Sequence, residues 1–150
     1  MIMKKLTLLL LLIPILSFAQ LPEMNEKSVR TYFDNNGTEF IEGIWEYTSL
    51  EIGSYRLAIF KDEFYYKAIV LEKSVGKDGF EGFNVGELKA TFERLSNDNN
   101  DIISKWIMGD KKTKNTTQGS VFQDLRTISV DDALISATAD ITLVKVYPKK

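Results

Sequence analysis

The fold of this chain is decided by residues 54–71, which read SYRLAIF-KDE-FYYKAIVL. Residues 54–60 and 64–71 are rich in the aromatic and β-branched residues that favour strands, and the polar residues 61–63 between them indicate a tight turn. The stretch therefore predicts a β-hairpin. Apolar residues occupy both faces of its strands, so we expect the hairpin to be covered on both sides, or closed into a barrel with something packed outside.

A further strand precedes the hairpin, because the pattern takes on a period of two from Phe40. Its apolar face carries Ile41, Gly43, Trp45 and Tyr47. Ile44 is the one apolar residue on the opposite, polar side. Residues 20–39 form a polar leading segment, in which Asn25 is placed to cap a short helix and Asn35-Asn36-Gly37 to end it.

The remainder of the chain reads as short strands separated by turn signals. Further strands are predicted at 87–95, 102–108, 113–122, 126–130, 134–138 and 141–147. Eight or nine such strands, with no alternation of strands and helices, predict an all-β sandwich or barrel.

A glycine-rich loop at residues 73–86 interrupts this series of strands. It contains Phe80 and Phe83. Three interpretations of this pair remain open: a lid or portal over a barrel mouth, an exposed contact patch, or two side chains tucked onto the barrel.

The first 19 residues have the three parts of a secretory signal peptide. Lys4 and Lys5 give a positive start, residues 6–16 are apolar, and Ser17-Phe18-Ala19 provides small residues at the cleavage site. The apolar run is too short for a membrane span, so stable membrane insertion is not expected. We expect residues 1–19 to be removed and the product to be exported to the periplasm or the exterior.

Composition excludes several classes of function. The 19 basic residues less the two lysines of the signal, set against 21 acidic ones, leave a net charge of −4, which does not favour nucleic acid as a partner. The chain contains no histidine and no cysteine, so it lacks the residues of a serine or cysteine triad and the usual ligands of zinc, copper, haem and iron–sulfur clusters.

Three kinds of chemistry remain possible without those residues. A carboxylate pair serves glycoside hydrolysis, and a Ser–Lys dyad would use a strand lysine such as Lys67, Lys89 or Lys105. The oxygen-rich residues 97–101 offer calcium ligands, although their spacing is that of a plain turn. No sequence context selects any of the three, so we expect no enzyme activity, no cofactor and no metal.

The triplet Gly43-Ile44-Trp45 resembles the Gly-x-Trp signature at the first strand of lipocalins and related calycin-type barrels. The resemblance implies that Trp45 closes one end of a barrel and packs against a basic side chain from near the last strand. Lys145 holds that position here, and Arg126 fits it less well. A contact between a cation and an indole ring contributes about 0.5–2 kcal/mol.

A second resemblance covers more of the chain and concerns exported β domains of Bacteroidetes-type proteins, sometimes found before a trypsin-like peptidase. The matching stretches are 41–45 (IEGIW), 55–61 (YRLAIFK), 85–89 (VGELK) and 143–148 (LVKVYP). Together the resemblances imply a single antiparallel up-and-down β-barrel of about eight or nine strands over residues 40–150, after the short helix.

An aromatic barrel interior is the feature that suggests a function. The side chains expected to line it are Trp45, Tyr47, Tyr55, Tyr65, Phe92 and Trp106. Barrels of about eight strands hold one small ligand or are filled by their own side chains. We therefore expect a carrier of a small apolar ligand. The alternative is a non-enzymatic protein-interaction module of the bacterial envelope, which would bind its partner through Phe80 and Phe83 or a strand edge.

Overall fold

The computed structural model describes residues 20–49, 53–73, 83–131 and 141–149. The predicted signal peptide, the part of the glycine-rich loop that contains Phe80, and the candidate strand at 134–138 lie outside the described residues.

One helix, α1 (Glu26–Asn36), precedes the strands. The side chain of Asn25 accepts a hydrogen bond from the Ser28 N–H at 2.9 Å, which satisfies a donor that the first helical turn leaves free. Gly37 ends the helix at φ 75° and donates its N–H to the Phe33 carbonyl. The predicted helix and both of its caps are confirmed. No helix in the described ranges is long and apolar enough to cross a membrane.

Within the described ranges, eight antiparallel strands form one closed barrel in chain order. They are β1 (Gly43–Ser49), β2 (Gly53–Asp62), β3 (Tyr65–Lys73), β4 (Leu88–Arg94), β5 (Asp101–Ile107), β6 (Lys114–Val121), β7 (Thr127–Val130) and β8 (Ile141–Tyr147). Strand β1 pairs with both β2 and β8, which closes the barrel. The all-β, up-and-down architecture is therefore confirmed, and the sandwich is excluded.

The helix covers the outer face of the hairpin formed by β2 and β3. An outer cluster of buried side chains joins the two, made of Val29, Phe33, Ile44, Ala58, Phe60, Ile69 and Leu71. The rings of Phe33 and Phe60 stack with their centroids 5.2 Å apart. Ile44, the exception to the alternation in β1, is 0% exposed because α1 packs over it. The two-sided apolar pattern of the hairpin thus reflects a core on each side.

Ion pairs link the helix to the same outer face. The Arg56 guanidinium on β2 lies 3.0 Å from a carboxylate oxygen of Glu26 on α1 and 3.2 Å from one of Glu46 on β1. Glu72 on β3 lies 3.4 Å from the same group. These groups are part-exposed, so they orient the helix on the barrel more than they stabilise it.

The turn of the hairpin is shorter than the sequence predicts. Asp62 pairs with Tyr65, so the turn consists of Glu63 and Phe64 alone, and Glu63 adopts the positive φ of 52° that such a turn needs. This register turns Tyr66 inward and Tyr65 outward. Tyr65 is 36% exposed, so its predicted place in the interior is wrong, and Tyr66 at 8% exposure lies there instead.

Candidate functional site

The interior of the barrel is a single cluster of buried apolar side chains. It comprises Ile41, Trp45, Tyr55, Leu57, Ile59, Tyr66, Ala68, Val70, Phe83, Ala90, Phe92, Ile102, Trp106, Val121, Ile128, Val130, Ile141 and Leu143. Four predicted lining residues, Trp45, Tyr55, Phe92 and Trp106, belong to it. Tyr47 is partly buried and packs against it. Burial raises the pKa of Tyr55, so its phenol stays protonated in the interior.

Inward-facing side chains alternate between small and large on the wall formed by β3, β4 and β5. Ala68 on β3 pairs directly with Ala90 on β4, and both are 0% exposed. On β5, Trp106 pairs with Ala90, and Ser104, which is also 0% exposed, pairs with Phe92. An eight-stranded barrel is just wide enough for its side chains to fill it. The large rings of Trp106 and Phe92 thus lie beside the small side chains of this wall.

Trp106 lies along this wall and has its polar atom satisfied inside the barrel. Its indole N–H donates to the Ser104 hydroxyl at 2.9 Å, and its ring meets that of Phe92 edge-on at 5.8 Å and 90°. Buried indole groups need such a partner, and edge-to-face rings are a favoured pairing. Ser104 therefore combines a small side chain with a polar anchor for the neighbouring indole.

One end of the barrel, which we call the Trp45 end, is closed by packed side chains. The Trp45 indole N–H donates to the Ile41 carbonyl at 2.8 Å, and Trp45 is 0% exposed. The ammonium of Lys145, which pairs with Trp45 across the β1–β8 seam, lies 5.0 Å from the centroid of the tryptophan ring system. Arg126 is exposed and accepts a backbone hydrogen bond from Lys145 through its carbonyl. The structure thus brings together Trp45 and Lys145.

The turn proposed above as a calcium candidate lies at the Trp45 end and faces a cation of the protein. Arg94 donates to the carbonyls of Asn97 and Asn99 at 3.1 Å each, and its guanidinium lies 4.2 Å from the centroid of the Phe40 ring. Among the described residues, no group of three or more Asp or Glu side chains is arranged to hold a metal ion. Arg94 thus takes up two of the carbonyl oxygens that a calcium ion at this turn would need.

The opposite end, which we call the Phe83 end, has the longer connections. Fourteen residues lie between β3 and β4 and ten between β7 and β8, against two between β2 and β3 at the Trp45 end. Phe83 is 1% exposed and belongs to the interior cluster, so it is not an exposed contact residue. Phe80, the other predicted portal residue, lies outside the described residues.

Lys89, one of the three strand lysines named above, lies at the Phe83 end, and the sequence did not distinguish it from the other two. It is 7% exposed, donates from its Nζ to the Ile107 carbonyl at 2.8 Å, and places that Nζ 4.0 Å from the Phe83 ring centroid. Burial lowers the pKa of its amine to about 8. Outside it, Lys111 and Glu87 form an ion pair at 2.8 Å.

This burial predicts a pH dependence of stability. Lys89 has a pKa of about 8 in the folded protein and an ordinary value near 10.4 when unfolded, so between these values the unfolded chain binds more protons and stability rises with pH. From pH 8.0 to 9.5 we expect its contribution to the free energy of unfolding to increase by about 1.5 kcal/mol. Urea denaturation at the two pH values should show this increase in the wild type and not in Lys89→Met. An equal pH response in the two proteins would contradict it.

Comparisons with known proteins do not indicate a function, which is therefore inferred from the fold and this site. No family model matches the chain, and neither does any curated protein or any solved structure. The closed eight-stranded barrel is consistent with a lipocalin-like fold.

Proposed function

We propose that this protein is an exported, non-enzymatic carrier of the lipocalin-like type, which binds one small apolar ligand inside its barrel. The observation that carries the proposal is the closed barrel with an apolar, partly aromatic interior, in which the paired residues Ala68 and Ala90 are the smallest side chains of the interior cluster. A barrel of eight strands can hold one small ligand, and the aromatic lining supports an apolar one.

The difference between the two barrel ends supports a direction of access. At the Trp45 end, the buried indole and the Arg94–Phe40 contact separate the interior from a surface pocket of about 170 Å³ beside Phe40. At the Phe83 end, Phe83 belongs to the interior cluster and contacts Lys89, and ligands commonly enter at the mouth of a barrel. The ligand would therefore enter beside Phe83 and lie against Ala90.

Enlarging the side chain at Ala90 should weaken ligand binding. We expect Ala90→Leu to weaken binding of the apolar fluorophore N-phenyl-1-naphthylamine by at least tenfold, because the added carbons occupy the ligand volume. Titration of the fluorophore into the protein, followed by its emission, measures the change in Kd. The matched control is Thr91→Leu, which adds a similar apolar group at the next position of β4, on the outer face of the barrel.

The comparison of these variants decides the proposal. Equal loss of affinity in Thr91→Leu and Ala90→Leu would place the probe on the outer face and contradict interior binding. Circular dichroism of both variants checks that the barrel is intact, since overpacking a core costs about 1–3 kcal/mol. A wild-type protein that does not bind the probe and has the same mass under native and denaturing conditions after export would also count against a carrier.

A further inference from the structure

The Lys89 amine is held in an apolar setting at the rim of the barrel. Its Nζ rests on the face of Phe83, a member of the interior cluster, and bonds to the carbonyl of Ile107, which packs against that cluster. At the same end, the Nζ of Lys111 lies 5.9 Å from the same ring, and Glu87 pairs with Lys111. An amine therefore stands where a ligand entering the barrel would pass.

The setting favours an uncharged amine. With a pKa of about 8, roughly a quarter of Lys89 is neutral at pH 7.5, against about 0.1% of an ordinary lysine. The neutral amine is the nucleophilic form, and buried lysines activated in this way form Schiff bases with carbonyl compounds. Lys89 thus combines a reactive protonation state with a position against the interior.

We propose that Lys89 is a covalent attachment site for an apolar aldehyde, which it holds as an imine at the Phe83 end of the barrel. The inference rests on the proposed carrier function, since the apolar part of the aldehyde would lie in the interior. The amine nitrogen adds to the carbonyl carbon to form a carbinolamine, as a proton passes from nitrogen to oxygen. Loss of one water molecule then gives the C=N bond, and no oxidant or reductant is needed.

An aldehyde fits this site better than a carboxylate does. A carboxylate ligand would require a charged lysine and would place two ions in a poorly solvated setting, where desolvation offsets their attraction. Reaction with an aldehyde joins two neutral groups and gives a neutral product. The apolar surroundings of Phe83 and Ile107 also keep out the water that hydrolyses an imine.

The test measures which lysines an apolar aldehyde labels. Wild-type protein is incubated at pH 7.5 with 1-naphthaldehyde and sodium cyanoborohydride, which converts an imine into a stable amine, and the labelled lysines are identified by peptide mass mapping. Lys105 on β5, which is exposed, is the internal control. We expect Lys89 to be labelled at least about tenfold faster than Lys105, since burial lowers the pKa of the Lys89 amine and so enlarges its neutral, nucleophilic fraction. We also expect 1-naphthalenemethanol, which has no carbonyl, to slow the labelling of Lys89 alone.

Each other outcome overturns the inference in a recognisable way. Labelling of Lys89 no faster than that of Lys105 would show that the amine is not activated. If N-phenyl-1-naphthylamine still binds in that case, the carrier function stands without the attachment site. Fast labelling of Lys89 that 1-naphthalenemethanol does not slow would show a reactive amine that takes no interior ligand. Absence of both probe binding and competition would remove the carrier function as well.

Discussion

Trp45→Ala is expected to lower the free energy of unfolding by about 3–5 kcal/mol. The ring system is 0% exposed and fills the Trp45 end of the barrel, so its removal leaves a cavity among residues that strand pairing holds in place. The change also removes the donor to the Ile41 carbonyl and the ring beside Lys145. Guanidinium denaturation followed by far-ultraviolet circular dichroism measures the loss without relying on tryptophan emission.

Two control variants separate the contributions at Trp45. Trp45→Phe keeps an aromatic ring and loses the indole donor, and we expect a smaller loss of about 1–3 kcal/mol. Phe64→Ala removes an aromatic side chain that is 87% exposed on the β2–β3 turn and should change stability by less than about 0.5 kcal/mol. A loss below about 1 kcal/mol for Trp45→Ala would contradict the role of Trp45 in closing the barrel.

Gly43→Ala is expected to cost about 3 kcal/mol or more, although it adds a single carbon. A Cβ at this position would lie 2.3 Å from the Tyr147 carbonyl oxygen and 3.4 Å from Pro148 Cδ. Gly43 also has a φ of 139°, which side chains rarely allow. Because the clash is with the backbone of β8, relief requires the β1–β8 seam to shift. Thermal denaturation of the variant measures the effect.

Gly37→Ala is the matched control for Gly43→Ala. Gly37 has a positive φ of 75°, but nothing lies within 4 Å of a Cβ built there. Its replacement should cost about 1 kcal/mol from backbone strain alone. Similar losses in the two variants would mean that the close approach of Tyr147 to Gly43 has no energetic consequence. A larger loss of stability at Gly43 would explain physically why a glycine occupies the first position of the Gly-x-Trp triplet.

Most of the fold could be predicted from local patterns in the sequence. Hydrophobic alternation and turn residues predict the hairpin, and the bounds of β4 to β8 agree with the predicted ones to within one residue. Asn25 and Gly37 predict the ends of α1 because capping depends on adjacent residues. The apolar residues on both faces of the hairpin, together with Ile44 on the polar side of β1, also indicate a second packing layer outside the barrel.

Which side chains of β3 face the interior could not be predicted in the same way. Aromatic residues occupy three successive positions, 64–66, so alternation does not distinguish the inner face from the outer one. The deciding fact is the length of the turn. A two-residue turn pairs Asp62 with Tyr65 and sends Tyr66 inward, whereas the turn predicted at 61–63 left Tyr65 as the interior candidate.

The site at the Phe83 end depends on contacts between distant residues. Lys89 stands among the strand lysines that the sequence offers, but its burial results from Phe83, which precedes β4, and from the carbonyl of Ile107 on β5. A lysine next to an apolar residue in a strand is a weak signal, because most such lysines extend into solvent. A lowered pKa of this kind is a property of the folded barrel.

The central claim is that an apolar ligand binds inside the barrel, and alanine methyl groups report on it directly. The measurement is a methyl NMR titration of alanine-labelled protein with N-phenyl-1-naphthylamine. Ala68 and Ala90 face the interior, and Ala58 is equally buried but lies in the outer cluster beneath α1. Interior binding predicts large shifts of the Ala68 and Ala90 methyl signals and an unchanged Ala58 signal. Binding that shifts Ala58 and leaves Ala68 and Ala90 unchanged would contradict the claim.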